Sequence, residues 1–166
     1  MRSPMGHGER WLDERAAAAL YETGARQNLD ASEDGMEFAA AYNTSKGGII
    51  VARRVLWAGT SKERRRGLLG RDRLDPDEGI YIAPCECVHT FGMRFAIDVA
   101  FLAPDGRILA VNRALKPRRL SKLIWRADGV LELAQGRLAE TGTEVGDIIE
   151  FRDPLKTHED PGITTQ

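Results

Sequence analysis

Short apolar runs punctuated by Gly, Asp and Pro fill the middle of the chain, and the pattern dissolves on either side. Ile49, Ile50 and Val51, followed by Val55, Leu56 and Trp57, predict a first strand region. Residues 79–83 and 95–102 supply two further apolar pieces, 130–133 another after Asp128-Gly129, and 148–151 a last one after Gly146-Asp147. Between 97 and 111 the pattern predicts a hairpin. Its reversal is Pro104-Asp105-Gly106, where Pro presets the first turn position and Gly tolerates the left-handed one. One helix is expected inside this region. Thr60-Ser61-Lys62-Glu63 reads as a capping box, Glu63 reaching back to the N-cap, and Gly70 ends the helix after Leu68 and Leu69.

These elements predict a mainly β domain, α+β at most, built as a sandwich or small barrel with one short helix. No second strand–helix unit supports a doubly wound sheet. The domain is expected over residues 49–153. Residues 1–48 read as an extension, partly helical or disordered: Glu9 to Tyr21 contain strong helix formers, and 32–48 look like linker. The polar stretch 154–166, with Pro154 and Pro161, reads as a flexible tail.

Charge adds a polarity that the net value of -1 conceals. Residues 1–45 hold four Lys/Arg against eight Asp/Glu, residues 46–126 seventeen against eight, and residues 127–166 three against nine. A basic middle therefore lies between acidic flanks. No apolar run approaches a membrane span, and the polar start lacks a secretory signal, so a soluble, cytoplasmic protein without a membrane partner is expected. In an extended segment the Cα atoms of Cys85 and Cys87 lie at the outer limit for a disulfide and the small ring between them would be strained, which fits reduced thiols.

Several segments carry a resemblance. Glu63-Arg64-Arg65-Arg66-Gly67-Leu68-Leu69-Gly70-Arg71, then residues 84–102 with their His89-Thr90-Phe91-Gly92-Met93 segment, then Val130-Leu131-Glu132-Leu133-Ala134-Gln135-Gly136 and Val145-Gly146-Asp147 follow one another in order. This series resembles the domain of unknown function 192 family, also called uncharacterised protein family 0127, a widespread bacterial family. Ala96 departs from the usual proline, and Cys87 from a small polar residue. The resemblance implies a distorted two-sheet β-sandwich of jelly-roll type and brings no activity with it.

Candidate chemistry concentrates in the same stretch. Cys85, Cys87 and His89 alternate, so an extended backbone puts them on one face with the donor types of a zinc or other soft-metal site. A fourth ligand and the C-x-x-C knuckle are missing. The same residues would serve as nucleophile and base of a Cys/His hydrolase if they came within hydrogen-bond reach. Small buried thiols and a structural histidine are the plainer alternative. Asp98 interrupts an apolar run, where a buried carboxylate needs a partner: Arg94, His89 or backbone amides, with an ion pair favoured. Phe91 and Met93 flank it. Ligand-binding candidates are therefore His89, Met93, Arg94 and Asp98. Arg64, Arg65, Arg66, Arg71 and Arg73, with Arg113, Lys116, Arg118, Arg119, Lys122 and Arg126, suggest anion or nucleic-acid binding. No stacking aromatics alternate with these arginines, which counts against nucleic acid. The leading expectation is a non-enzymatic domain that binds a small molecule or protein near His89 and Asp98, with no cofactor.

Overall fold

The computed structural model describes residues 38–58 and 67–152. Seven strands form one sheet: β1 (Phe38–Asn43), β2 (Ile49–Ala58), β3 (Glu78–Ile82), β4 (Ile97–Leu102), β5 (Ile108–Leu115), β6 (Gly129–Ala134) and β7 (Ile149–Arg152). Their order across the sheet is β5-β4-β6-β3-β2-β1-β7. All neighbouring pairs are antiparallel except β2 and β3. One short helix, α1 (Arg137–Glu140), follows β6.

The edge strands meet at one end. Arg107 bridges Ile148, Ile108 N–H donates to the Asp147 carbonyl at 2.8 Å, and Ile149 N–H donates to the Gly106 carbonyl at 2.9 Å. The sheet is thereby curled into a half-barrel, in keeping with the mainly β, barrel-like domain with one short helix that was expected. One apolar cluster draws on every strand, from Ala41 and Val55 through Tyr81, Ala100, Ile108 and Leu131 to Ile149, and it fills the inside. The outer surface of β2, β3, β6 and β4 carries a second cluster, among it Leu56, Ile80, Val99 and Val130. Loop residues Leu68, Leu74, Val88 and Met93 cover it. Period-2 alternation thus serves two cores, which is why β4 and β6 are buried at every position.

The predicted hairpin is present and longer than expected, since β4 pairs with β5 as far as Ile97 opposite Leu115. Gly106 adopts φ +80°, and its N–H closes the turn on the Ala103 carbonyl at 2.9 Å. An added Cβ would stand 2.3 Å from the Ile149 carbonyl oxygen, at the contact that closes the barrel. Gly106→Ala should therefore cost about 2–4 kcal/mol, from left-handed strain plus overpacking. A thermal melt would test it; a midpoint within a degree or so of wild type would refute the closure contact.

One expectation needs correction. Residues 32–48, read as linker, contain β1, which pairs with both β2 and β7. Its last residue, Asn43, is fully buried and donates to Thr143 Oγ1 at 3.1 Å and Asp147 Oδ2 at 2.8 Å, tying this strand to the turn before β7. The capping-box helix expected from Thr60 lies mostly outside the described residues, of which 67–70 form turn. The expected helix over Glu9 to Tyr21 and the 154–166 tail also lie outside them.

Candidate functional site

The four predicted ligand-binding residues do not gather. Odd and even positions of β4 face opposite ways: Ile97, Val99 and Phe101 enter the outer core, Ala100 and Leu102 the inner one. Asp98 therefore lies on the inner face, whereas Met93 is buried in the outer core. Arg94 is exposed and pairs with Asp72, an equally exposed partner. His89 is exposed on a loop, its ring 5.9 Å from that of Phe91.

Asp98 has a partner, but not the ion pair that was favoured. It is 1% exposed, and both carboxylate oxygens accept backbone N–H groups: Oδ1 from Ala114 at 2.8 Å and Oδ2 from Leu138 at 3.0 Å. The β4–β5 register slips between Ile97 and Val99, and Ala114 there adopts φ +50°, so its N–H leaves the ladder. Leu138 lies in the first turn of α1, where N–H groups have no helical acceptor. One carboxylate thus satisfies a bulge and a helix start that lie far apart in sequence. This is an anchor.

The thiols also turn to the backbone. Cys85 Sγ donates to the Cys87 carbonyl at 3.2 Å, and Cys87 Sγ lies 3.6 Å from the Ser121 carbonyl oxygen. Both cysteines are half-buried while His89 is exposed, so the alternating set expected on one face is split between core and solvent. Among the described residues, no three His, Cys, Asp or Glu side chains stand together as metal ligands.

A second lone acid went unnoticed in the sequence. Glu132 sits on the outer face of β6, opposite Ile80 of β3 and Val99 of β4, and is 5% exposed. Burial pushes its carboxyl up to about 7. It makes no hydrogen bond or ion pair among the described residues. Val130-Leu131-Glu132-Leu133 offered the signal that singled out Asp98, an acid within an apolar strand.

The loop over the outer core reaches solvent differently. Residues 86–90 run antiparallel to 118–124: Ser121 N–H donates to the Val88 carbonyl at 2.8 Å, Thr90 N–H to the Arg119 carbonyl at 2.9 Å, and Ile124 N–H to the Glu86 carbonyl at 2.8 Å. Thr90 is fully buried and fastens the pair. Its hydroxyl donates to the Lys116 carbonyl at 2.7 Å and accepts from Arg119 N–H at 2.9 Å. With Val88 and Ser121 turned inward, the apolar side chains left outside are large. Trp125 is 74% exposed, Leu120 65%, Leu123 59% and Phe91 55%. Arg118 and Arg126 both hold positive φ, +59° and +76°, a conformation that non-glycine residues adopt at a cost.

The cations of this ridge stand apart. Every other described Lys and Arg except Arg113 has a carboxylate within ion-pair distance, and Arg113 donates to the Thr143 carbonyl. Lys116, Arg118, Arg119, Lys122 and Arg126 make no ion pair among the described residues. Among its described members the basic cluster seen in the sequence therefore divides: Arg71 pairs with Glu78, Arg73 with Asp75 and Arg113 with a carbonyl, and the five from Lys116 to Arg126 make no ion pair.

A curled β half-barrel with a loop-covered outer face is the class of domain these features define. The domain of unknown function 192 family, described as an uncharacterised ACR, matches residues 41–151, and the chain belongs to it. Two crystal structures are similar in fold. One is a protein of Sinorhizobium meliloti 1021 provisionally described as a transcription regulator, at TM-score 0.62 and 24% identity, covering 72% of this chain and 98% of that one. The other is a protein of unknown function from Novosphingobium aromaticivorans DSM 12444, at TM-score 0.64 and 22% identity, covering 78% and 97%. No curated protein matches the chain.

Proposed function

We propose that this is a non-enzymatic binding domain that presents the ridge formed by residues 86–91 and 116–126 to a partner. The carrying observation is the exposure of Phe91, Leu120, Leu123 and Trp125 among cations that have no carboxylate partner. Large apolar side chains exposed on one pair of hydrogen-bonded loop segments fit an interaction site. The side chains that suggested chemistry are meanwhile committed to the fold: Asp98 to two amides, both thiols to carbonyls. Of the candidate ligand residues, His89 keeps a place on the binding surface, Met93 packs in the outer core, Arg94 pairs with Asp72, and Asp98 anchors the opposite face of the sheet.

The dye bis-ANS, apolar and anionic, suits such a ridge. Native protein should bind it at neutral pH with a strong rise in fluorescence. Leu123→Ser combined with Trp125→Ser should abolish most of that rise and leave the thermal midpoint nearly unchanged, because both side chains face solvent. Dye binding that survives the double substitution would place the interacting surface elsewhere.

A further inference from the structure

We infer that the partner of this ridge is an anionic lipid surface, on which the domain docks peripherally. This rests on the ridge being a binding surface and names what it binds. The composition is that of an interfacial contact, with exposed aromatic and aliphatic side chains and exposed Lys and Arg on the same pair of segments. Trp125 and Phe91 provide amphipathic or aromatic bulk, and Leu120 and Leu123 provide aliphatic surface. The aliphatic pair argues for a hydrocarbon boundary over a nucleic acid, since leucine offers bases no stacking face. Charge complementarity fixes the sign of the partner. Lys116, Arg118, Arg119, Lys122 and Arg126 make no side-chain ion pair among the described residues, and the ridge's own acid, Glu86, meets Arg126 through its backbone N–H at 3.4 Å, whereas every other described cation except Arg113 has a carboxylate within ion-pair distance. The ridge is also held in shape: Thr90 clamps its base, and two residues within it keep left-handed backbone. No helix among the described residues is long and apolar enough to cross a membrane. The expectation of no membrane partner had rested on the lack of such a span.

Co-sedimentation of the full chain with vesicles tests this. Vesicles of equal parts phosphatidylglycerol and phosphatidylcholine should carry the protein down, pure phosphatidylcholine vesicles should not, and moderate salt should weaken the binding. Arg119→Gln with Lys122→Gln should reduce partitioning by about 25-fold, at about five-fold per neutralised cation. Leu123→Ser with Trp125→Ser should reduce it by at least about ten-fold. Arg53→Gln, which removes a cation already paired with Asp77, should change it little. The Trp125 emission, isolated by subtracting a Trp125→Phe spectrum, should shift to the blue only when anionic vesicles are added. The lipid assignment is overturned if no vesicle binds, if both vesicle types bind equally, or if binding survives the apolar substitutions. Duplex DNA taking the place of lipid would overturn it as well, as would a Trp125 emission already blue in the free chain, which would mean that the chain covers its own ridge. Loss of the dye signal in Leu123→Ser/Trp125→Ser without any vesicle binding would remove lipid as the partner and leave the ridge as a binding surface. A dye signal indifferent to those substitutions would remove both.

Discussion

Asp98→Ala is expected to cost about 3–5 kcal/mol of folding stability, a large share of what a domain of this size has. The loss comes from the groups left behind more than from the carboxylate itself. Leu138 N–H would stay buried and Ala114 N–H half-buried with no acceptor, at about 1–3 kcal/mol each. Asp98→Asn should fall between alanine and wild type, because its carbonyl oxygen can keep one donor while its NH2 group confronts the other. Urea unfolding of the three proteins would decide the matter. A loss under about 1 kcal/mol for alanine would show that bulge and helix start have other means of satisfaction. Binding at the ridge should persist in any Asp98 variant that folds, since Asp98 faces the opposite side of the sheet.

Glu132→Met should have the opposite sign and make the protein more stable at neutral pH. Below about pH 4.5, the carboxyl's ordinary value, the group is protonated in both folded and unfolded chains and has no net effect. As the pH rises from there, the unfolded chain ionises while the folded one holds its proton up to about 7, so stability falls across this window. Above it, the folded state carries a buried charge, at a cost on the order of 3 kcal/mol. Methionine has a similar shape and no charge, so the variant should keep at pH 8 the stability that wild type loses between pH 5 and pH 8. Parallel stability–pH curves for the two proteins would show that Glu132 finds a partner in solution.

The local features were the legible ones. Pro104-Asp105-Gly106 marks its hairpin because the conformational demands of a turn are carried by those residues alone. The runs that became β6 and β7 are apolar and bounded by turn residues, so they too could be read directly. Strand β1 could not. Phe38-Ala39-Ala40-Ala41-Tyr42 is poor in β-branched residues, and its strand state comes from pairing with β2 and with β7, more than a hundred residues away. Asp98 was correctly singled out as needing a partner, but its donors lie 16 and 40 residues off in sequence. Glu132 escaped although its pattern matched that of Asp98. The ridge was hidden for another reason. Leu123, Ile124 and Trp125 are equally apolar in composition, and only the pairing of this segment with residues 86–90 turns Leu123 and Trp125 outward while Ile124 packs against the core.

The strand order leaves the two ends of the half-barrel side by side. β1 and β7 are antiparallel neighbours, with Ala40 opposite Arg152, so the chain enters and leaves the sheet at the same rim. A short Gly/Ser bridge from residue 152 back to 38 would join existing neighbours, and the chain could then be opened between Lys122 and Leu123 on the exposed ridge. For the same reason the unit is suited to serve as a cassette. It could be spliced into a loop of another protein without prising apart the two ends of its host, and would carry its exposed loops outward as a pendant.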